Sequence, residues 1–222
     1  MSSPQQLIAG FQRFRERSLT DVNAQFRELV EFGQTPTTLV VGCCDSRVDP
    51  ALILDCAPGD LFVIRNVANL VPPAEKQGHY HGTSAALEFG VCNLAVQHII
   101  VLGHAQCGGI HALLEGGVAR DDSFIAAWMR IADAARERIE QEHVGASSEV
   151  RHRACEQQAI LVSLKNLMTF SWIRERVEQG GLALHGWYFD IERGELLGYK
   201  LMQISSKESG GSIALAALTV LT

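Results

Sequence analysis

Three short apolar runs rich in β-branched residues constrain this chain most: Thr38 to Cys43 (TLVVGC), Leu61 to Ile64 (LFVI) and His98 to Gly103 (HIIVLG), each bounded by Gly, Pro, Asp or Asn. They are apolar along most of their length rather than alternating, which predicts strands buried on both faces. Helical patterns lie between and after them, notably Thr83 to Val96 with Leu87, Val91 and Leu94 on one face. Strands alternating with helices predict an α/β fold, with a mostly parallel central sheet and flanking helices.

Ahead of the first strand, Leu7, Ile8, Phe11, Phe14, Leu19, Val22, Phe26, Leu29 and Val30 recur at helical spacing with Arg and Glu between them. This reads as one long or broken amphipathic helix, an extended N-terminal arm expected to pack on something outside the compact core, such as a second subunit. Asp121 to Glu142 and Ser148 to Phe170 read as two long helices joined through Gly145, and Ser171 to Gln179 as a third stopped by Gly180 and Gly181. Leu182 to Ile191 and Glu195 to Leu201 alternate around Arg193-Gly194, a hairpin signal that adds an antiparallel edge strand. Ser205 to Gly211 (SSKESGG) reads as a surface loop before a short apolar tail. The expectation is one domain over residues 1–222: a helical arm (1–33), an α/β core (34–204) and a C-terminal tail (205–222).

Composition narrows the classes of partner. Lys and Arg number 19 against 25 Asp and Glu, a net charge of −6, which gives no basic field for a phosphate backbone, so no nucleic acid is expected. No apolar run approaches the about 18 residues of a membrane span, so no membrane is expected either. The first residues lack the basic-then-apolar profile of a secretory signal, and six cysteines, two of them adjacent, are too sparse for a disulfide scaffold. A reducing, cytoplasmic location with metal-binding or catalytic thiols is the expectation.

The chemistry-bearing residues cluster in two segments. Gly42-Cys43-Cys44-Asp45-Ser46-Arg47 lies where the first strand stops, and His104-Ala105-Gln106-Cys107-Gly108-Gly109 leaves the end of the third. Sites in open parallel sheets form at the carboxyl ends of strands. If these strands are neighbours, Cys43, His104 and Cys107 converge, and two thiolates with one imidazole suit zinc. Three protein ligands leave a fourth position open, the catalytic pattern. Gly108 and Gly109 let the chain turn tightly into a helix whose N-terminus favours a thiolate at Cys107. Asp45, two residues beyond Cys43, is placed to accept a hydrogen bond from the occupant of the fourth position, and Arg47 to hold Asp45 ionised. The alternative is a fourth ligand from His79, His81 or His111, which would make the zinc structural. Cys44, Cys56, Cys92 and Cys155 read as ordinary thiols.

With these residues assembled, the sequence resembles the β-class carbonic anhydrases. The matching motifs are C-x-D-S-R (Cys43 to Arg47) and H-x-x-C-G-G (His104 to Gly109), supported by Arg65-Asn66-Val67-Ala68-Asn69 and His185-Gly186-Trp187, and the similarity runs from about Phe11 to Leu201. The resemblance implies one zinc ion per chain on Cys43, His104 and Cys107, a working Asp45 and Arg47 pair, and reversible hydration of carbon dioxide to bicarbonate and a proton by zinc-bound hydroxide. It also implies a homodimer or higher even homo-oligomer in which the helical arm embraces the neighbouring subunit. In the plant-type subgroup a glutamine reaches the substrate across the dimer interface, and its match here is Gln34. Phe62, Val67 and Gly108 match positions lining the substrate pocket. Some positions depart: Phe89 stands where plant-type members carry Tyr. Val40 and Phe189 stand where a bacterial subgroup uses Trp and Tyr, with Arg65, to bind regulatory bicarbonate, so that regulation is not expected. The same zinc chemistry would serve a carbonyl sulfide or carbon disulfide hydrolase, and a closed site would serve a non-catalytic bicarbonate sensor.

Overall fold

The computed structural model describes residues 3–17, 22–75, 81–116, 123–202 and 214–221. Two amphipathic helices, α1 (Pro4–Arg17) and α2 (Val22–Phe32), lead into β1 (Thr38–Cys43). There follow the single turn α3 (Pro50–Ile53), β2 (Leu61–Asn66), a 3-10 turn (Val67–Asn69), α4 (Gly82–Glu88), β3 (His98–His104) and α5 (Gly108–Glu115). The second half holds α6 (Phe124–Met129), α7 (Asp133–Glu142), α8 (Ser148–Leu167), α9 (Ser171–Glu178), β4 (Ala183–Asp190), β5 (Glu195–Met202) and β6 (Ala214–Val220). Among the described residues no helix is long and apolar enough to cross a membrane.

The strands form one mixed sheet of order β2-β1-β3-β4-β5-β6, with β2, β1, β3 and β4 parallel and β5 and β6 antiparallel. From β1 the chain crosses to β2 on one side and then to β3 on the other. The carboxyl ends of β1 and β3 therefore flank a topological switch point, where open sheets leave a crevice. Leu39, Val41, Ile99 and Val101 point to a core completed by Ile160, Leu164 and Leu167 of α8, while Val40, Ile100 and Leu102 form the opposite layer with Trp187 and Phe189. Burial on both faces explains why these strands read as continuous apolar runs.

Helix α8 can lie close to the sheet because two positions beneath it carry no side chain. A Cβ on Gly103 would come within 2.8 Å of Ile160, and one on Gly186 within 2.9 Å of both Ile160 and Leu164. That approach brings Glu156, one turn earlier on α8, down to the end of β3.

Several sequence expectations change in detail. The expected Thr83 to Val96 helix becomes α4 followed by a π turn (Phe89–Asn93), with Gly90 against Leu39 and Phe62. The expected Asp121 to Glu142 helix is α6 and α7 joined by a 3-10 turn at Arg130–Ala132. The largest correction is at the C-terminus. Residues 205–222 are not simply a loop and tail, because Ala214–Val220 adds a sixth strand in register with β5, Leu197 opposite Val220 and Met202 opposite Ala214. Its alanines carry weak strand propensity, but the free edge of β5 supplies a pairing partner. The Ser205 to Gly211 loop lies outside the described residues.

Candidate metal centre

Parallel pairing of β1 with β3, Gly42 opposite Leu102, brings Cys43 at the end of one strand beside His104 at the end of the other. The chain then turns back through Gln106, in the left-handed region at φ +58°, and returns Cys107 to the same spot at the start of α5. The ligand atoms of Cys43, His104 and Cys107 lie within 4.8 Å of one another, and all three residues are buried. His104 Nδ1 sits 2.8 Å from the Ala105 carbonyl. A carbonyl only accepts, so Nδ1 carries the proton and Nε2 presents a lone pair. Nε2 is buried without a hydrogen-bond partner.

The two thiols are electrostatically unequal. A hydrogen bond from Cys107 pulls Cys43 toward the thiolate against its burial, with help from His104 and from the Asp45 backbone N–H at 3.4 Å. Cys107, the donor in that pair and itself buried, is pushed the other way. Two thiols and an unpartnered imidazole nitrogen crowded at this spacing are a donor set that a soft or borderline divalent cation satisfies in full, and zinc fits it. Among the described residues no fourth His, Cys or carboxylate joins the group. His81 occupies the N-cap position of α4 without a side-chain capping bond, His111 meets His152 edge to face with ring centroids 4.5 Å apart, and His79 lies outside the described residues.

Beside the ligands, Arg47 grips Asp45 with Nε 2.9 Å from Oδ1 and Nη2 2.7 Å from Oδ2, and its backbone N–H adds a 3.0 Å bond to Oδ1. These bonds hold the Asp45 carboxyl well below the usual carboxylate range. Arg65 braces the loop from below, donating to the Cys43 carbonyl at 2.9 Å, the Asp45 carbonyl at 2.8 Å and Asp49 at 2.7 Å. Val67 stands at the carboxyl end of β2, in contact distance of Gly109, where a Cβ would sit 3.0 Å from it. Gly108 opens α5 directly after Cys107.

Two candidate residues stay away from this centre within their own chain. Gln34 is exposed before β1, in a segment packed on the start of β2, so the length of β1, about 16 Å at 3.3 Å per residue, separates it from Cys43. Phe62 pairs with Leu39 rather than with the end of β1 and stacks on Phe89 at 5.9 Å.

A sequence model of the carbonic anhydrase family matches residues 38–196, which include every residue of the centre. The chain belongs to the β-class carbonic anhydrases, a family of carbonate dehydratases. It is 39% identical over 183 residues to a mitochondrial β carbonic anhydrase of Arabidopsis thaliana, covering 82% of this chain and 62% of that longer protein. The structure of the β carbonic anhydrase CcaA superposes with a TM-score of 0.82 at 37% identity, over 88% of this chain and 86% of that one. A tetrameric β carbonic anhydrase of Sordaria macrospora gives 0.70 at 30% identity, over 87% and 92%.

In this β carbonic anhydrase chain the sequence reading passed over three residues that shape the centre. Glu156 is buried on α8, accepts the Cys107 backbone N–H at 3.0 Å and receives the Tyr188 hydroxyl at 2.7 Å. A lone carboxylate beside Cys155, Ala159 and Ile160 was the available signal. Arg65 is legible in the sequence only as part of the Arg65-Asn66-Val67-Ala68-Asn69 motif and by its place in another subgroup, and Gln106 only as a spacer between two ligands.

Proposed function

We propose that this chain is a zinc-dependent carbonic anhydrase that interconverts carbon dioxide and bicarbonate. The observation that carries the reading is the convergence of Cys43, the unpartnered Nε2 of His104 and Cys107 beside an Asp45 carboxylate locked by Arg47. Cys43, His104 and Cys107 would hold the zinc, which as a Lewis acid makes water ionisable near neutral pH. Asp45, kept ionised and aimed by Arg47, accepts a hydrogen bond from the attacking water and fixes the direction of its remaining lone pair. Val67 and the side-chain-free Gly108 and Gly109 leave an apolar approach suited to a nonpolar gas. Gln34 of a second copy donates to a substrate oxygen, and Phe62 of that copy closes the pocket.

A homodimer or larger even assembly follows from the same reading. Leu7, Ile8 and Phe11 on α1 are each about 60% exposed, and Val30 and Phe32 at the end of α2 more so. An apolar face of that extent marks an interface, and the Sordaria relative is tetrameric. All six cysteines are free, in keeping with a reducing compartment such as the cytoplasm.

Stopped-flow hydration of carbon dioxide by protein of measured zinc content tests the reading, with carbonyl sulfide run in parallel. Fast hydration with one zinc per chain is expected. Zinc-loaded protein inert toward carbon dioxide across alkaline pH would overturn it, and turnover of carbonyl sulfide alone would reassign the substrate.

A further inference from the structure

Gln106 lies between two of the three ligands and has a backbone conformation that few residues with a Cβ adopt, at φ +58°. Such conformations persist where surrounding contacts over-determine them. Here the contacts run to Arg47. The Gln106 carbonyl accepts from Arg47 Nη2 at 3.0 Å and its Oε1 from Nη1 at 3.4 Å. Nη2 is the same nitrogen that reaches Asp45 Oδ2 at 2.7 Å. The amide end of Gln106 is itself tethered, because its Nε2 donates to the Glu192 carboxylate.

Glu192 stands on a fixed turn. Its N–H bonds to Asp190 Oδ1 at 3.1 Å, and Asp190, fully buried, is paired with Arg153 of α8 at 3.0 Å. A line of polar contacts therefore runs from the β4–β5 turn through Glu192, Gln106 and Arg47 to Asp45. Arg47 is 45% exposed at its side chain, so without this tether the guanidinium is free to exchange partners with water.

We propose that Gln106 is a positioning residue for the reaction: by holding Arg47 from the side away from Asp45, and being held by Glu192, it fixes the direction in which Asp45 faces the reacting centre. The role rests on the carbonic anhydrase reading for its catalytic consequence, but the tether itself does not. Asparagine at this position tolerates the left-handed backbone and is one methylene too short to bridge Arg47 and Glu192 together. Alanine removes the side-chain contacts and keeps the carbonyl.

The test uses the zinc-loaded protein with Q106N and Q106A, and two readouts. The first is hydrogen exchange at Arg47 Nε–H, followed by NMR, which reports how firmly the guanidinium is held whether or not any substrate turns over. The second is kcat/KM for carbon dioxide hydration in the wild-type and R47A backgrounds. Both variants should speed Arg47 Nε–H exchange and lower kcat/KM by about three- to tenfold, the scale of one net hydrogen bond, with zinc content unchanged. In the R47A background the same substitutions should have no further effect, since a residue that acts through Arg47 has nothing left to position. Unchanged exchange in both variants would overturn the proposal, as would a loss of turnover that simply adds to that of R47A. Wild-type protein inert toward carbon dioxide would remove the carbonic anhydrase reading instead, while the exchange rates would still decide whether Gln106 holds Arg47.

Discussion

Arg47 and Asp45 are two residues apart in a loop, yet they meet as a planar fork, Nε on Oδ1 and Nη2 on Oδ2, 2.9 and 2.7 Å long. A fork of this kind fixes a plane as well as a distance. Oδ1 also accepts the Arg47 backbone N–H at 3.0 Å, so the remaining lone pair is on Oδ2 and Asp45 is restrained but still able to accept.

That geometry separates charge from aim. Without Arg47 the Asp45 carboxyl would rise toward its ordinary value near about 3.9, still far below neutral pH. Arg47→Ala should therefore cost turnover equally at pH 7 and pH 9, because what it loses is direction rather than ionisation. Asp45→Asn should cost more, about a hundredfold or more in kcat, the scale of a lost proton-handling group, with zinc retained. Stopped-flow rates alongside zinc analysis check both, and full activity in Asp45→Asn would remove that residue from the mechanism.

Removing the zinc should loosen the fold as well as silence it. Chelation leaves His104 Nε2 buried without a partner and returns two crowded thiols to an unequal sharing of protons. A ligand present at a thousand times its dissociation constant stabilises by about 4 kcal/mol, and for a chain of this size that is about 10 °C in Tm. Calorimetry before and after treatment with a zinc chelator measures it, and re-addition of zinc should restore the midpoint.

How far the sequence could be read depended on whether a feature was local. Thr38 to Cys43 and His98 to Gly103 declared themselves as strands because burial on both faces leaves no polar residue inside the run. The C-x-D-S-R and H-x-x-C-G-G segments fell at their ends, so the three ligands and the Asp45–Arg47 pair were legible as a group. What was not legible depends on partners distant in the chain. Ala214–Val220 becomes a strand only because β5 offers an edge, Glu156 matters only because α8 crosses beneath His104 and Cys107, and the register placing Phe62 opposite Leu39 is written nowhere in either segment.

The contact of α8 with the sheet predicts a stability effect with no change in chemistry. Gly186→Ala places a methyl group within 3.0 Å of Ile160, Leu164 and Tyr199, three side chains from two elements that cannot all yield together. Overpacking of this kind costs about 1–3 kcal/mol, which for a chain of this length lowers Tm by roughly 2–12 °C. Thermal unfolding of the zinc-loaded variant tests this, and an unchanged midpoint would show that α8 has slack over β4.

A pH effect on stability is expected from His185. Its Nε2 lies 3.2 Å from Nδ1 of His98, and burial together with that neighbour pushes its pKa down. The folded chain therefore binds fewer protons here than the unfolded one, so the contribution is whole above the unfolded value of about 6.5 and is lost as pH falls below it. His185→Gln should flatten the decline of Tm between pH 7.5 and 5.5. Parallel curves for variant and wild type would show that the pair does not govern acid stability.

The most demanding prediction concerns Gln34, because its position and its proposed role agree only if two chains share each site. The length of β1 lies between Gln34 and Cys43 of one chain, so a Gln34→Ala chain would damage its neighbour's centre and leave its own intact apart from what that neighbour supplies. Asp45→Asn damages only its own. Each variant alone should be weak. In a heterodimer of the two, the centre of the Gln34→Ala chain has its own Asp45 and receives Gln34 from the Asp45→Asn chain, so one of the two sites is complete. Co-expression with two affinity tags, purification of the mixed species and stopped-flow assay should then give about half the wild-type rate per dimer, as expected for independent sites. A mixed dimer no faster than the average of the two parents would show that Gln34 does not serve the neighbouring chain's site.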